Sequence, residues 1–186
     1  MRALLLMFAM FAMLLLSGCG DLLSVQPLAT AETAVFDAGL TGEWSCTDTS
    51  KGVGLLIRAG AAEKKDYDVL WIPENSEEAL RLKGQLVKVG DRLVFDLIAR
   101  MRPDLTLPAH FFMLVEKTAD GVKFHWLDSE WLRDRVMSKD GLAHAMVDDK
   151  PVITAGSAET NAFLAKFGLD AQAASGSLSF KRVKGQ

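Results

Sequence analysis

Few side chains in this 186-residue chain have the chemistry of a nucleophile, a general base or a metal ligand: three histidines, two cysteines, and carboxylates set among serines. His110, Asp128 and Ser129 contain the atoms of a hydrolytic triad. No Gly-x-Ser-x-Gly elbow presents a serine, however, and Ser129, just ahead of an amphipathic stretch, is explained more simply as a helix N-cap. His110 and His125 fall on the two arms of one hairpin. A metal there needs a third ligand such as Asp128 or Asp96, and the spacing supplies none. With the turn centred on Ala119, Glu116 pairs with Val122, His110 lies opposite Asp128, and His125 points to the other face; a one-residue bulge would bring both histidines to one face. The expectation is a His110 hydrogen-bonded to a carboxylate or to backbone at the sheet margin. Asp148-Asp149 reads as part of a turn, and no Gly-rich phosphate loop is present. No metal, cofactor or catalytic set is therefore expected, and a hydrolase is the weaker alternative. Cys46 has neither a base nor a second cysteine in its local sequence, so it reads as a small buried apolar residue.

The elements that position these residues are mostly strands. Gly42 to Asp48 alternates, with Trp44 and Cys46 on one face, and Val53 to Arg58 and Tyr67 to Ile72 follow, the last ended by Pro73. Leu80 to Val89 and Arg92 to Ala99, joined by Gly90-Asp91, make the clearest hairpin. A second runs from Ala109 to Glu116 and from Val122 to Asp128 through the turn Thr118-Ala119-Asp120-Gly121, with Val122, Phe124 and Trp126 on its dry side. Helical spacing marks Glu130 to Lys139, ended by Gly141, and Ala158 to Phe167, capped by Ser157 with Gly168 at its C′ position. Short strand-like pieces at Leu142 to Val147 and Val152 to Ala155 lie between the helices, and Ser177 to Val183 alternates at the end. Eight or nine strands joined by hairpins predict a mainly β (α+β) fold: a small antiparallel barrel or strongly curved sheet with two short helices in the C-terminal third.

The first residues follow another logic. Met1-Arg2 precedes an uncharged apolar run from Ala3 to Leu16, which as a helix would reach only about 21 Å, short of the roughly 30 Å hydrocarbon core. That run ends in Leu16-Ser17-Gly18-Cys19, which resembles the lipobox of bacterial lipoproteins. The resemblance implies export, diacylglyceryl attachment at the Cys19 sulfur, cleavage before Cys19 and acylation of the new amino terminus. A membrane anchor of two or more acyl chains holds firmly where one binds marginally. An ordinary secretory signal is the alternative. In that family an Asp directly after the cysteine retains the protein in the inner membrane; here the position is Gly20, which favours the periplasmic face of the outer membrane. The implied organisation is a signal peptide at 1–18, a tether at 19–38 and one domain at 39–186.

Without residues 1–18 the chain keeps 20 basic and 24 acidic residues, a net charge of −4, and no basic stripe for phosphates, so nucleic acid is not an expected partner. With Cys19 lipidated, Cys46 is the one remaining thiol and no internal disulfide is possible.

Gly42-x-Trp44 resembles the Gly-x-Trp signature of lipocalins, members of the calycin barrels that bind apolar ligands. The resemblance implies that Trp44 closes one end of the barrel under a late arginine, here Arg182, stacked as a cation–π contact. Arg182 follows the Ala158 to Phe167 helix, whereas the family's arginine precedes its main helix. Trp44 as one more core aromatic is the alternative. Trp44, Trp71, Phe95, Phe112, Phe124 and Trp126 are the residues expected to line or fill the interior. Two functions stand side by side: a non-catalytic lipoprotein binding a small apolar or amphipathic ligand, and an envelope interaction or assembly protein with a solid core and a protein partner. An enclosed pocket of a few hundred Å³ lined by these aromatics favours the first, and a filled interior sinks it.

Overall fold

The computed structural model describes residues 23–48, 53–60, 65–73, 79–99, 109–147, 150–167 and 173–183. Cys19 with the segment before it, the Asp148-Asp149 turn and Gly168 lie outside the described residues. Two short strands come first, β1 (Leu23–Ser24) and β2 (Ala34–Val35), then a 3-10 turn at Ala38–Leu40. Seven strands follow: β3 (Gly42–Cys46), β4 (Gly54–Ala59), β5 (Asp66–Ile72), β6 (Leu80–Val89), β7 (Arg92–Ala99), β8 (Ala109–Lys117) and β9 (Gly121–Leu127). The chain then builds α1 (Ser129–Val136), β10 (His144–Val147), β11 (Lys150–Ile153) and α2 (Ser157–Phe167), and ends in β12 (Ala174–Arg182).

Strands β3 to β9 pair in sequence order, each antiparallel to the next, and β12 inserts between β9 and β3. The result is a closed eight-stranded barrel, which leaves these strands without the open edges of a flat sheet. Tight connections set the registers. Val89 pairs with Arg92 across Gly90-Asp91, and Gly90 takes φ +61°, a left-handed conformation that glycine adopts without a Cβ penalty. Lys117 pairs with Val122 and Glu116 with Lys123, one residue away from the register expected from the sequence. His110 and His125 consequently share the outer face of the barrel, with no bulge needed, and His110 does not meet Asp128.

The period-2 pattern sends Leu93, Phe95 and Leu97 of β7, and Phe111, Met113 and Val115 of β8, into the barrel. Their neighbours Val94, Phe112 and Leu114 point outward and are nevertheless buried. They belong to a second core, in which Leu28, Ala29 and Ala34 of the N-terminal segment, Leu132 and Val136 of α1, and Phe163 and Leu164 of α2 cover the outer wall of β6 to β8. Both faces of these strands are therefore dry.

Three local expectations are corrected. The segment read as a tether up to residue 38 is part of the folded body from Leu23 onward: β1 pairs with β8 and β11, β2 pairs with β6, and Ser24 and Leu28 are fully buried. Its contacts run across the barrel strands rather than along one face, so no sustained period marks them in the sequence. The N-cap of α1 is Asp128, whose carboxylate accepts from the Trp131 N–H at 2.7 Å, and Ser129 is the first helical residue; α1 closes at Val136, well before Gly141. In α2, Ser157 lies inside the helix and its hydroxyl donates to the Pro27 carbonyl at 2.5 Å, joining the helix to the N-terminal strap.

Candidate functional site

One end of the barrel is plugged by hydrogen bonds. Gly42 opens β3 with φ +138°, and a Cβ there would collide with Arg182 Nη1, so a glycine lets the guanidinium approach the backbone. Arg182 pairs with Trp44 in the β12–β3 register. Its guanidinium carbon stands 4.5 Å from the Trp44 ring centroid while Nη1 and Nη2 donate to the carbonyls of Thr41 (2.6 Å) and Gly39 (2.7 Å). Trp44 Nε1 donates to the Leu40 carbonyl at 2.9 Å, which ties the 3-10 turn across the same end. Beside it the buried Tyr67 stacks on Phe36, and its hydroxyl accepts from the Asp37 N–H at 2.7 Å and donates to the Asp37 carbonyl at 3.3 Å. Burial, with the Asp37 charge adding, raises the Tyr67 phenol above its ordinary pKa. The hydrogen bond from Lys117 Nζ, 2.8 Å away, holds the Asp37 carboxyl below the usual carboxylate range, with the Gly39 N–H helping.

Above this plug the described side chains pack closely in the barrel core. Tyr67, Phe95, Phe124, Phe180, Trp71 and Trp126 form a continuous run of ring contacts, centroids 5.4 to 6.2 Å apart, from the plugged end toward the other. Phe95, Phe124 and Phe180 are each about 98% buried or more. A methyl added at Gly84 on the inner wall would sit 2.7 Å from Phe95 Cε2, so the wall has no room beside that ring. An eight-stranded barrel is just wide enough for side chains to occupy it completely.

Of the six aromatics expected inside, Trp44, Phe95 and Phe124 are buried in the barrel core, and Trp71 and Trp126 pack on it half-buried. Phe112 is a correction. It pairs with Asp96 on the outward phase of β8 and packs under the helices, since Phe111 and Met113 take the inward positions. Trp71, Trp126, Phe111 and Leu178 leave an apolar, incompletely buried layer on the inner face toward the end opposite the plug. There β5 ends and β6 begins with Ile72 (41% exposed) and Leu80 (53% exposed).

His110 is hydrogen-bonded to a carboxylate, as its place on the sheet predicts, and that carboxylate is Asp96 on the neighbouring strand rather than Asp128. His110, 4% exposed, is bonded through Nδ1 to Asp96 Oδ1 at 2.8 Å; the other carboxylate oxygen accepts the N–H groups of Leu28 (2.7 Å) and Ala29 (3.3 Å). Ser24, the strand partner of His110, is fully buried, and its hydroxyl donates to the Gln26 carbonyl at 2.8 Å. Ser24 thus stands opposite His110 in the strand register, but it is closed off from solvent and its hydroxyl proton is given to the Gln26 carbonyl. The geometry is that of a clamp on residues 24–29, with no face open to a substrate. His125 Nε2 contacts Glu116 Oε2 at 2.9 Å on the surface, Asp128 is spent as a helix cap, and Cys46 is a buried free thiol in the barrel core. Among the described residues no three His, Cys, Asp or Glu side chains converge as metal ligands.

Asp96 was the functional residue hardest to read from sequence. The available signal was a lone carboxylate inside the apolar run Leu93 to Ile98, which has to find donors once both faces of its strand are covered. Comparison with known proteins returned no family model, no curated protein and no solved structure that matches this chain.

Proposed function

We propose that this is a lipid-anchored protein of the bacterial envelope, attached through Cys19, facing the periplasm with outer-membrane placement favoured, and that its lipocalin-like barrel binds a small apolar or amphipathic ligand without catalysis. The observation that carries the reading is the incompletely buried layer of Trp71, Trp126, Phe111 and Leu178 above a sealed floor. A ligand of this kind is taken at the end opposite the Arg182 plug and rests on that layer. Apolar contact supplies the affinity there, at roughly 25 cal/mol per Å² removed from water before the entropy of association is subtracted. Native mass spectrometry of the full-length protein from its own membrane tests it. A co-purifying lipid-like species that is lost in Trp71→Ala and Trp126→Ala supports the reading, and a mass equal to polypeptide plus anchor alone sinks it.

The close packing of Phe95, Phe124 and Phe180 beside Gly84 favours a second reading, an envelope interaction protein whose solid barrel displays a binding surface to a protein partner.

A further inference from the structure

The outer wall of β6 to β8 is sealed by the strap and the helices; among the described residues β4, β5 and the first half of β6 have no such cover. Outward positions elsewhere on the uncovered wall are polar, such as Lys123 and His125 on β9, Ser179 and Lys181 on β12, and Glu43 and Ser45 on β3. On β4 and β5 they include Leu56, Leu70 and the 41%-exposed Ile72. Cross-strand register lays out two adjacent rows, Leu56–Leu70–Arg81 and Arg58–Asp68–Lys83, under a surface depression of about 490 Å³. Asp68 is already paired with Lys83 at 2.5 Å. Arg58 and Arg81 are exposed and have no hydrogen-bond acceptor or carboxylate among the described residues. Two strand spacings and one two-residue step put their Cα atoms about 12 Å apart, at opposite corners of the apolar floor.

We infer that this wall docks an extended acidic segment of a protein partner, in which two carboxylates flank one apolar side chain. Residues i, i+2 and i+4 of an extended chain point the same way, and i to i+4 spans about 13 Å, close to the separation of the Arg58 and Arg81 Cα atoms. Each guanidinium offers a planar fork to one carboxylate, and the central apolar side chain sits on Leu56 and Leu70. A single-headed amphiphile satisfies one arginine and leaves the other unpaired, so the two-cornered layout selects the peptide. The site is centred on β5, three strands round the ring from β8, and β2 of the N-terminal segment pairs with β6 at Leu86 and Val87, beyond Arg81 and Lys83, so the wall carrying the two arginines stays open to a partner. The inference deepens the protein-partner reading and is independent of any ligand at the Trp71–Trp126 end.

The test is fluorescence anisotropy with the full-length protein in detergent and a labelled Glu-Gly-Leu-Gly-Glu peptide, with Lys-Gly-Leu-Gly-Lys and laurate as competitors. The expected result is saturable binding of the glutamate peptide in the range of roughly 0.1–1 mM, weakened by salt. Arg58→Glu and Arg81→Glu each weaken it about threefold and the double variant at least about tenfold, with an unchanged urea midpoint. Neither competitor should displace the peptide. The inference is overturned by absence of saturation to about 5 mM, by binding that ignores both substitutions, by displacement with laurate, or by self-association of the protein through this wall. Any of these leaves the native mass spectrometry of the proposed ligand unaffected, so the two readings fail separately.

Discussion

The two halves of the barrel's outer wall differ in what became of their outward side chains. On β6 to β8 the outward positions include Val87, Val94, Phe112 and Leu114, and the chain spends its N-terminal strap and both helices to cover them. On β4 and β5 the outward positions are Leu56, Leu70, Ile72, Arg58 and Asp68, and the described chain provides no cover. The sealed half behaves as a second core with its own buried polar anchor; the bare half behaves as a surface with an apolar floor. The difference teaches that this barrel is a partition between two dry layers on one side and a single one on the other, so equivalent substitutions on the two walls should have very unequal costs.

The largest effect is expected at the anchor of the sealed wall. Asp96→Ala removes the acceptor for the Leu28 and Ala29 N–H groups and strands His110, all within a buried site. Losing one partner of a buried polar cluster leaves the others desolvated and unpaired, so the expected destabilisation is about 3–5 kcal/mol. Urea denaturation gives the magnitude. Hydrogen exchange locates it, with the amides of Leu28 and Ala29 losing protection first. A loss below about 1 kcal/mol would mean the strap is held by Leu28 and Ala34 packing alone and that the sealed wall needs no polar anchor.

The contrast between the walls also explains what sequence could reveal. The barrel strands announce themselves because alternation over Leu93, Phe95 and Leu97, or Val122, Phe124 and Trp126, is a local signal, and Gly90-Asp91 fixes a register within a few residues. The Trp44–Arg182 contact was within reach because the two residues carry a recognisable spacing and a shared chemistry. The strap was not legible. Leu28 meets Asp96 across 68 residues, and neither shows a period that points at the other. Asp128 and Ser129 are adjacent residues that both cap helices well, so composition alone could not say which does. Phe112 sits between Phe111 and Met113 in a run apolar on both faces, and alternation cannot assign faces when both are dry. The same ambiguity, in Leu55-Leu56-Ile57 and Val69-Leu70-Trp71-Ile72, marks the bare wall. Those runs looked like ordinary core strands.

A smaller effect is expected where the strap ends, at the plugged end of the barrel. Asp37 has its folded pKa lowered by Lys117, so its contribution to stability is fully present above the unfolded value of about 4 and is lost as pH falls through the lowered folded value. Lys117 is half exposed, which limits the pair to at most about 1 kcal/mol. Acid titration of wild type against Lys117→Ala should show the wild-type advantage at pH 6 shrinking once the pH falls below about 4 and lost as it passes through the lowered folded value. An advantage that persists there would assign it to the Lys117 methylenes instead of the charge.

The smallest effect is expected on the bare wall. Ile72→Thr keeps the β-branch that suits a strand and replaces the ethyl arm by a hydroxyl on a side chain already 41% exposed, so folding stability should change by about 0.5 kcal/mol or less. The same substitution, one row beyond Leu56 and Leu70 on the same face, should still weaken the acidic peptide by a factor of about two, because the rim beside the depression loses apolar area while the arginines stay in place. The measurement that sharpens the comparison is the pair of numbers taken together. Stability unchanged with binding reduced assigns Ile72 to a surface meant for a partner. Stability lowered by more than about 1.5 kcal/mol would instead place Ile72 under cover within the fold, and the two walls would then differ in degree only.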